Sequence, residues 1–156
     1  MSNQAGTVWV TYNGEIYNFR ELRAELAQAG YEFRSKTDTE VLIHGYEAWG
    51  IEKLLARLRG MFAFALYDQR ASGSTIYLVK DRFGIKPLYY SYQADTLVFA
   101  SEVRACLASG AIPRTTNPEA LLRFLQFGSV PMPVTTIKNV HGLQAGHYMT
   151  FTNQGA

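Results

Sequence analysis

The chain carries one cysteine, Cys106, in 156 residues. A single thiol excludes an intrachain disulfide framework and any cysteine-based zinc site, and it agrees with a reducing compartment. No apolar run reaches the ~20 residues that a membrane-spanning helix needs. The opening "MSNQAGT" also lacks the apolar stretch of a signal peptide. A soluble, cytoplasmic protein with no membrane partner is expected. Charge of one sign is scarce as well, since 15 Lys and Arg face 13 Asp and Glu for a net +2. That balance argues against a polyanionic partner. Lys80, Arg82 and Lys86 stand among Phe83, Tyr89, Tyr90 and Tyr92, a mixture that can stack bases and hold phosphates. The even charge balance favours a structural loop instead, with Asp81 and Arg82 in internal polar contacts, and no nucleic-acid partner is expected. His44, His141 and His147 show no metal-ligand spacing, so no metal site is expected. Repeats and low-complexity tracts are absent.

What the chain does have is material for a core. It is 47% hydrophobic and 13% aromatic, with ten Tyr and nine Phe, a packed composition with a β-forming bias. One domain is expected. "TVWVTY" (7–12) alternates as a strand does. Asn13-Gly14 follows, a pair that by itself reads as a hairpin turn, yet the residues after it read as helix rather than partner strand. Phe19, Leu22, Leu26 and Ala29 recur at helical spacing, with Asn18 and Glu21 placed as a capping box and Gly30 as the stop. "TDTEVLIHGYEAWG" predicts a second helix capped by Thr37 and Glu40, continuing past Gly50 through "IEKLLARLR". "GMFAFALYD" (60–68) is apolar on both alternating faces, the pattern of a strand buried from two sides. "QRASGS" supplies a turn into "TIYLVKD", and "KPLYYSY" with "TLVFAS" forms a second hairpin around "QAD". "SEVRACLASG" and "NPEALLRFLQFG" read as helices, the latter with Asn117 at N-cap and Pro118 at N1. "VPMPVTT" is a loop and "GHYMTFT" a last strand. Helices, then doubly buried hairpins, then helices again imply sheets layered between helices, the α+β class.

Five segments carry a resemblance: "YNGEIYNFRELRAEL", "TDTEVLIHGYEAWG", "LRGMFAFALYD", "KDRFGIKPLYY" and "FASEVRACL". In this order and spacing they resemble the glutamine amidotransferase domain of glutamine-hydrolysing asparagine synthetases. These are type 2, or N-terminal nucleophile, amidotransferases. The resemblance covers about residues 7 to 152. Relatives in purine and amino-sugar synthesis share the Asn-Gly and "TDTE" features. The fold this implies is a four-layer αββα sandwich of two antiparallel sheets.

Releasing ammonia from a glutamine side chain is acyl transfer, which needs a nucleophile, a base and donors for the oxyanion. The resemblance assigns the oxyanion donors to the Asn13 side-chain amide and the Gly14 backbone N–H. It places Glu15 in the glutamine pocket and gives Asp38 the substrate's α-ammonium. A carboxylate at a helix start also stays ionised, ready for a cation. The capping box of Thr37 and Glu40 leaves Asp38 free to point elsewhere.

The sequence departs from the family upstream. The family's N-terminal Cys, its "HRG" region and the Arg that clamps the glutamine carboxylate have no counterpart, and Ser2 follows Met1. Cys106 lies on a predicted helix far along the chain. The expectation is therefore a partial, incomplete domain over residues 1–156, lacking the nucleophile segment and the C-terminal synthetase domain and inactive alone. The expected partners are L-glutamine and that synthetase domain, which would hold ATP and Mg; this chain itself needs no cofactor. A homodimer through the strand at 7–12, as an exposed edge, is a further expectation. Two alternatives remain: a non-catalytic scaffold of the same fold, and an amidotransferase serving another carboxylate acceptor.

Overall fold

The computed structural model describes residues 1–70 and 73–152. Ala71 and Ser72 of the expected "QRASGS" turn lie outside the described residues. The elements run β1 (Val8–Ile16), α1 (Phe19–Gln28), α2 (Thr39–Arg57), β2 (Gly60–Asp68), β3 (Thr75–Lys80), β4 (Tyr89–Gln93), β5 (Thr96–Ala100), α3 (Val103–Ala108), α4 (Pro118–Phe127), β6 (His141–Gly142) and β7 (Tyr148–Thr152). They form two compact units, Met1–Val79 with Met149–Ala156, and Lys80–Tyr148. The class is α+β.

The first unit holds a four-stranded sheet in the order β1-β2-β3-β7. β1 and β2 run antiparallel from Val8 opposite Asp68 to Ile16 opposite Gly60. β1 is therefore longer than its alternation suggests. Asn13, Gly14 and Glu15 are strand residues paired with Ala63, Phe62 and Met61, and the Asn-Gly pair makes no turn. A nine-residue partner strand overrides the local turn preference of Asn-Gly. β2 is buried on both alternating faces, from Phe62 through Leu66, as its composition predicts.

One face of this sheet meets α1 and α2. Val8, Val10, Ile16, Phe62, Phe64 and Leu66 pack with Leu22 and Leu26 of α1 and Val41, Leu42, Tyr46 and Leu54 of α2. Each such aliphatic or aromatic side chain contributes roughly 1.5–3 kcal/mol on burial. α2 does pass Gly50, but through a kink, with φ 75° and ψ 173° there. Neither expected capping box forms. Asn18 makes no cap bond; its Nδ2 donates to the Arg57 carbonyl and its Oδ1 accepts from the Arg59 N–H, both at 3.0 Å. Glu40 reaches backwards to accept from the Arg34 N–H, the Ser35 N–H and the Ser35 hydroxyl at 2.8, 2.8 and 2.6 Å. It braces the loop before α2 and leaves Asp38, not Thr37, at the N-cap position.

The second unit holds a three-stranded sheet in the order β5-β4-β6. The β4–β5 hairpin closes through Ala94 and Asp95, both at positive φ. Cys106, Ile112 and Val140 form a small core there. α4 starts as expected, with the Asn117 side chain accepting from the Glu119 N–H at 3.1 Å, and stops at Gly128 with φ 69°. Asp81 is buried and accepts from the Phe83, Ile85 and Lys86 N–H groups at 3.0, 3.1 and 3.1 Å. Arg82 is exposed, so the expected internal contact applies to Asp81 alone. Among the described residues, no helix is long and apolar enough to cross a membrane.

Candidate active site

Hydrogen bonding on β1 sorts its residues into two sets. Thr7 O accepts from the Gln69 N–H at 2.8 Å and the Tyr17 N–H donates to Arg59 O at 2.7 Å, so odd-numbered positions face β2. The antiparallel ladder then turns the N–H and C=O of even-numbered positions to the open edge. At Val8 and Val10 that edge is covered by the chain's own start. Asn3 N–H donates to Val8 O at 2.9 Å, Val10 N–H donates to Met1 O at 2.8 Å, and the Met1 ammonium donates to Val10 O at 2.9 Å. The expected bare edge at 7–12 is thus partly closed by residues 1–3.

At the other end, the Ile16 N–H donates to Asp38 Oδ2 at 2.9 Å. Between these two closures the Gly14 N–H points to the open edge. Asn13 and Glu15 lie on the exposed face of β1 with Trp9 and Thr11. Asp38 comes to the same stretch of strand from the start of α2, and its Oδ2 accepts a second bond, from the Tyr12 hydroxyl at 2.6 Å. Burial, then the Asp38 carboxylate beside it, push the Tyr12 phenol well above its ordinary range, so it remains a donor. All four residues singled out in the sequence thus sit on, or are bonded to, the second half of β1.

Gly14 is fixed by packing. A Cβ there would lie 2.2 Å from the Met61 carbonyl oxygen and 2.6 Å from the Phe62 Cα. Gly60, on the facing strand, would place a Cβ 2.1 Å from the Glu15 carbonyl oxygen. Two glycines thus let β1 and β2 approach closely where the site lies.

Cys106 is fully buried on α3, and burial pushes its thiol up, the opposite of an activated nucleophile. A cleft of about 530 Å³ is lined by Asn3, Arg34, Glu40, His44 and Glu47 among others. His44 Nδ1 is 3.3 Å from Glu47 Oε2, and its Nε2 is 3.6 Å from Glu40 Oε1. Burial works against the charge on Glu40, but hydrogen bonds from Arg34 and Ser35 and the nearby His44 outweigh it and hold the carboxyl below its ordinary range. Among the described residues, no group of three or more His, Cys, Asp or Glu could hold a metal ion. Sequence reasoning missed Tyr12 as the partner of Asp38, and no local pattern announces it, because 26 positions separate the two.

The fold places the chain in a class. It superposes on the glutamine phosphoribosylpyrophosphate amidotransferase from B. subtilis, complexed with ADP and GMP, with a TM-score of 0.65 and 21% identity. That match takes in 99% of this chain and 29% of the other. A structure described as the allosteric regulatory enzyme of purine biosynthesis matches with the same TM-score at 22% identity, over 99% of this chain and 28% of that one. What the chain shares with these two structures is the fold, two antiparallel sheets with flanking helices. A family profile described as a glutamine amidotransferase domain matches residues 1–156, and the chain belongs to that family. It is 39% identical to asparagine synthetase (glutamine-hydrolysing) 1 of Bacillus subtilis, over 99% of this chain and 24% of the relative. It is 46% identical to putative asparagine synthetase (glutamine-hydrolysing) 1 of Methanocaldococcus jannaschii, over 66% of this chain and 18% of the relative. The chain spans about a quarter or less of the length of these relatives.

Proposed function

We propose that this chain is the glutaminase part of an ATP-dependent asparagine synthetase, which hydrolyses the side-chain amide of L-glutamine and supplies the ammonia to aspartate. A thiolate attacks the amide carbon, and the tetrahedral oxyanion that forms is met by the Asn13 side-chain amide and the Gly14 N–H. Each such donor is worth about 3–4 kcal/mol in the transition state. Asp38 receives the α-ammonium of glutamine, and Glu15 completes the pocket. The thiolate comes from outside these 156 residues, because Cys106 is the single cysteine and is buried. Aspartate, ATP and Mg²⁺ are handled by the larger remainder of a synthetase, of which relatives of this chain are about four times the matched length.

The observation that carries this reading is the convergence of the Asp38 carboxylate and the Gly14 N–H on one open edge of β1. The test is in two parts on the isolated chain. Glutamate release from L-glutamine is assayed, and backbone amides are followed by NMR during a glutamine titration. No glutamate and shifts centred on Gly14 and Ile16 are expected. Glutamate formed above the blank would place a nucleophile within the chain. A titration that leaves both amides unmoved would remove glutamine from this edge.

A further inference from the structure

Asp38 occupies the N-cap position of α2 and yet makes no side-chain cap bond. An Asp at that position ordinarily accepts from the second or third N–H of its helix, which stabilises the helix by about 1 kcal/mol. Here the carboxylate turns away from the helix to β1. Its Oδ2 takes both available donors, the Tyr12 hydroxyl at 2.6 Å and the Ile16 N–H at 2.9 Å. Among the described residues no donor meets Oδ1. Two donors from different directions on one oxygen stop rotation of the carboxylate about its Cβ–Cγ bond, and that fixes where the second oxygen points. Tyr12 suits this task because it lies on the half-buried side of β1 and carries a rigid ring that reaches the start of α2.

We propose that Tyr12 is a positioning residue for the ammonium subsite: with the Ile16 N–H it locks one oxygen of Asp38 so that the other is presented to the α-ammonium of the substrate. This rests on the reading of Asp38 given above. The phenol touches the carboxylate and not the ligand. Its effect is confined to ligands that bear the ammonium, which separates it from a strut that merely ties α2 to β1.

The experiment compares L-glutamine with its des-amino analogue, 4-carbamoylbutanoate, by calorimetric titration of the wild-type chain and Tyr12→Phe. The substitution removes one oxygen and keeps the ring, and circular dichroism checks that the fold is retained. Wild type should favour glutamine, whereas Tyr12→Phe should lose about tenfold in glutamine affinity and bind the analogue as wild type does. A strut would weaken both ligands alike or neither, and either result overturns the proposal. Equal wild-type affinity for the two ligands overturns the Asp38 assignment instead, and the inference with it. Absence of binding by wild type overturns the glutamine reading of the whole edge. If Tyr12→Phe unfolds, the wild-type Ile16 amide still decides the matter. It should shift on adding glutamine and stay in place with the analogue, and the same shift with both refutes the coupling.

Discussion

Replacing Gly14 by alanine tests the packing on which the proposed oxyanion donor depends. The new Cβ would lie 2.2 Å from the Met61 carbonyl oxygen, and ordinary contact begins near 3.4 Å. β1 must therefore move away from β2 by about 1 Å, against an inter-strand spacing of ~4.8 Å. A shift of that size stretches the ladder bonds on either side, at Asn13 opposite Ala63 and Glu15 opposite Met61, beyond hydrogen-bonding range. Two such bonds are worth about 1 kcal/mol each, and residual overpacking adds roughly 1–2 kcal/mol. The expected loss is about 3–4 kcal/mol. For a chain of this size it lowers Tm by roughly 6–16 °C at ~2–4 °C per kcal/mol. Thermal unfolding followed by circular dichroism measures it, with urea unfolding as a check that the m-value is unchanged. Gly60→Ala opens the same strand pair from the other side, since its Cβ meets the Glu15 carbonyl oxygen at 2.1 Å. The double variant should therefore lose less than the sum of the two single losses. A Tm within about 1 °C of wild type for Gly14→Ala, or strict additivity in the double variant, would refute the close-approach argument.

Asp38→Ala strands the Tyr12 hydroxyl and the Ile16 N–H, so a loss of about 2–4 kcal/mol is expected in urea unfolding; a loss under ~0.5 kcal/mol would mean the two bonds are idle. Cys106 should resist a thiol reagent at pH 8 in the native chain and react fully once unfolded, because it is buried and its thiol is pushed up; rapid native labelling would contradict this. Glu40 is held below its ordinary 4.5 in the folded chain, so its stabilisation is present above that value and fades as pH falls through the folded value. Glu40→Gln should accordingly show a smaller acid-side drop in Tm than wild type, and parallel pH curves would contradict the assignment. Leu125 on α4 is 82% exposed, and Leu125→Lys should change stability by less than ~0.5 kcal/mol; a larger loss in urea unfolding would mean the side chain is covered.

Much of this architecture is legible in the residues. "GMFAFALYD" has no polar face, and that alone announces a strand buried on two sides. Asn117, Pro118 and Gly128 bracket α4 because each meets a purely local demand: a side-chain acceptor, a preset φ and a left-handed exit. Elsewhere long-range forces win. Asn13-Gly14 has the local chemistry of a turn, and the pairing of β1 with Met61–Ala63 of β2 carries it straight through as strand. Glu40 has capping-box spacing with Thr37, yet the loop at residues 34–35 offers two N–H groups and a hydroxyl, and the carboxylate goes there. The kink at Gly50 and the two-residue β6 leave no periodic trace. Asn13, Gly14, Glu15 and Asp38 were identifiable as candidates from motif resemblance. The bonds from Tyr12 and Ile16 that orient Asp38 depend on how α2 meets β1, which periodicity does not encode.

β1 and β2 are antiparallel neighbours with no hairpin between them, since α1 and α2 intervene. A hairpin turn ordinarily decides which residue faces which, and a slip of one position exchanges the two faces of a strand. Such a slip here would carry Asn13 and Glu15 into the core and put Val10 and Ile16 into water. Asn18 acts as the missing index mark. Its amide grips the backbone of Arg57 and Arg59 at the exit of α2, just beyond the last paired residues, Ile16 and Gly60, and fixes the phase of one strand against the other. The alignment of the site is thus set from the far side of two helices, and whatever displaces the Arg57–Arg59 corner displaces the phase of Gly14.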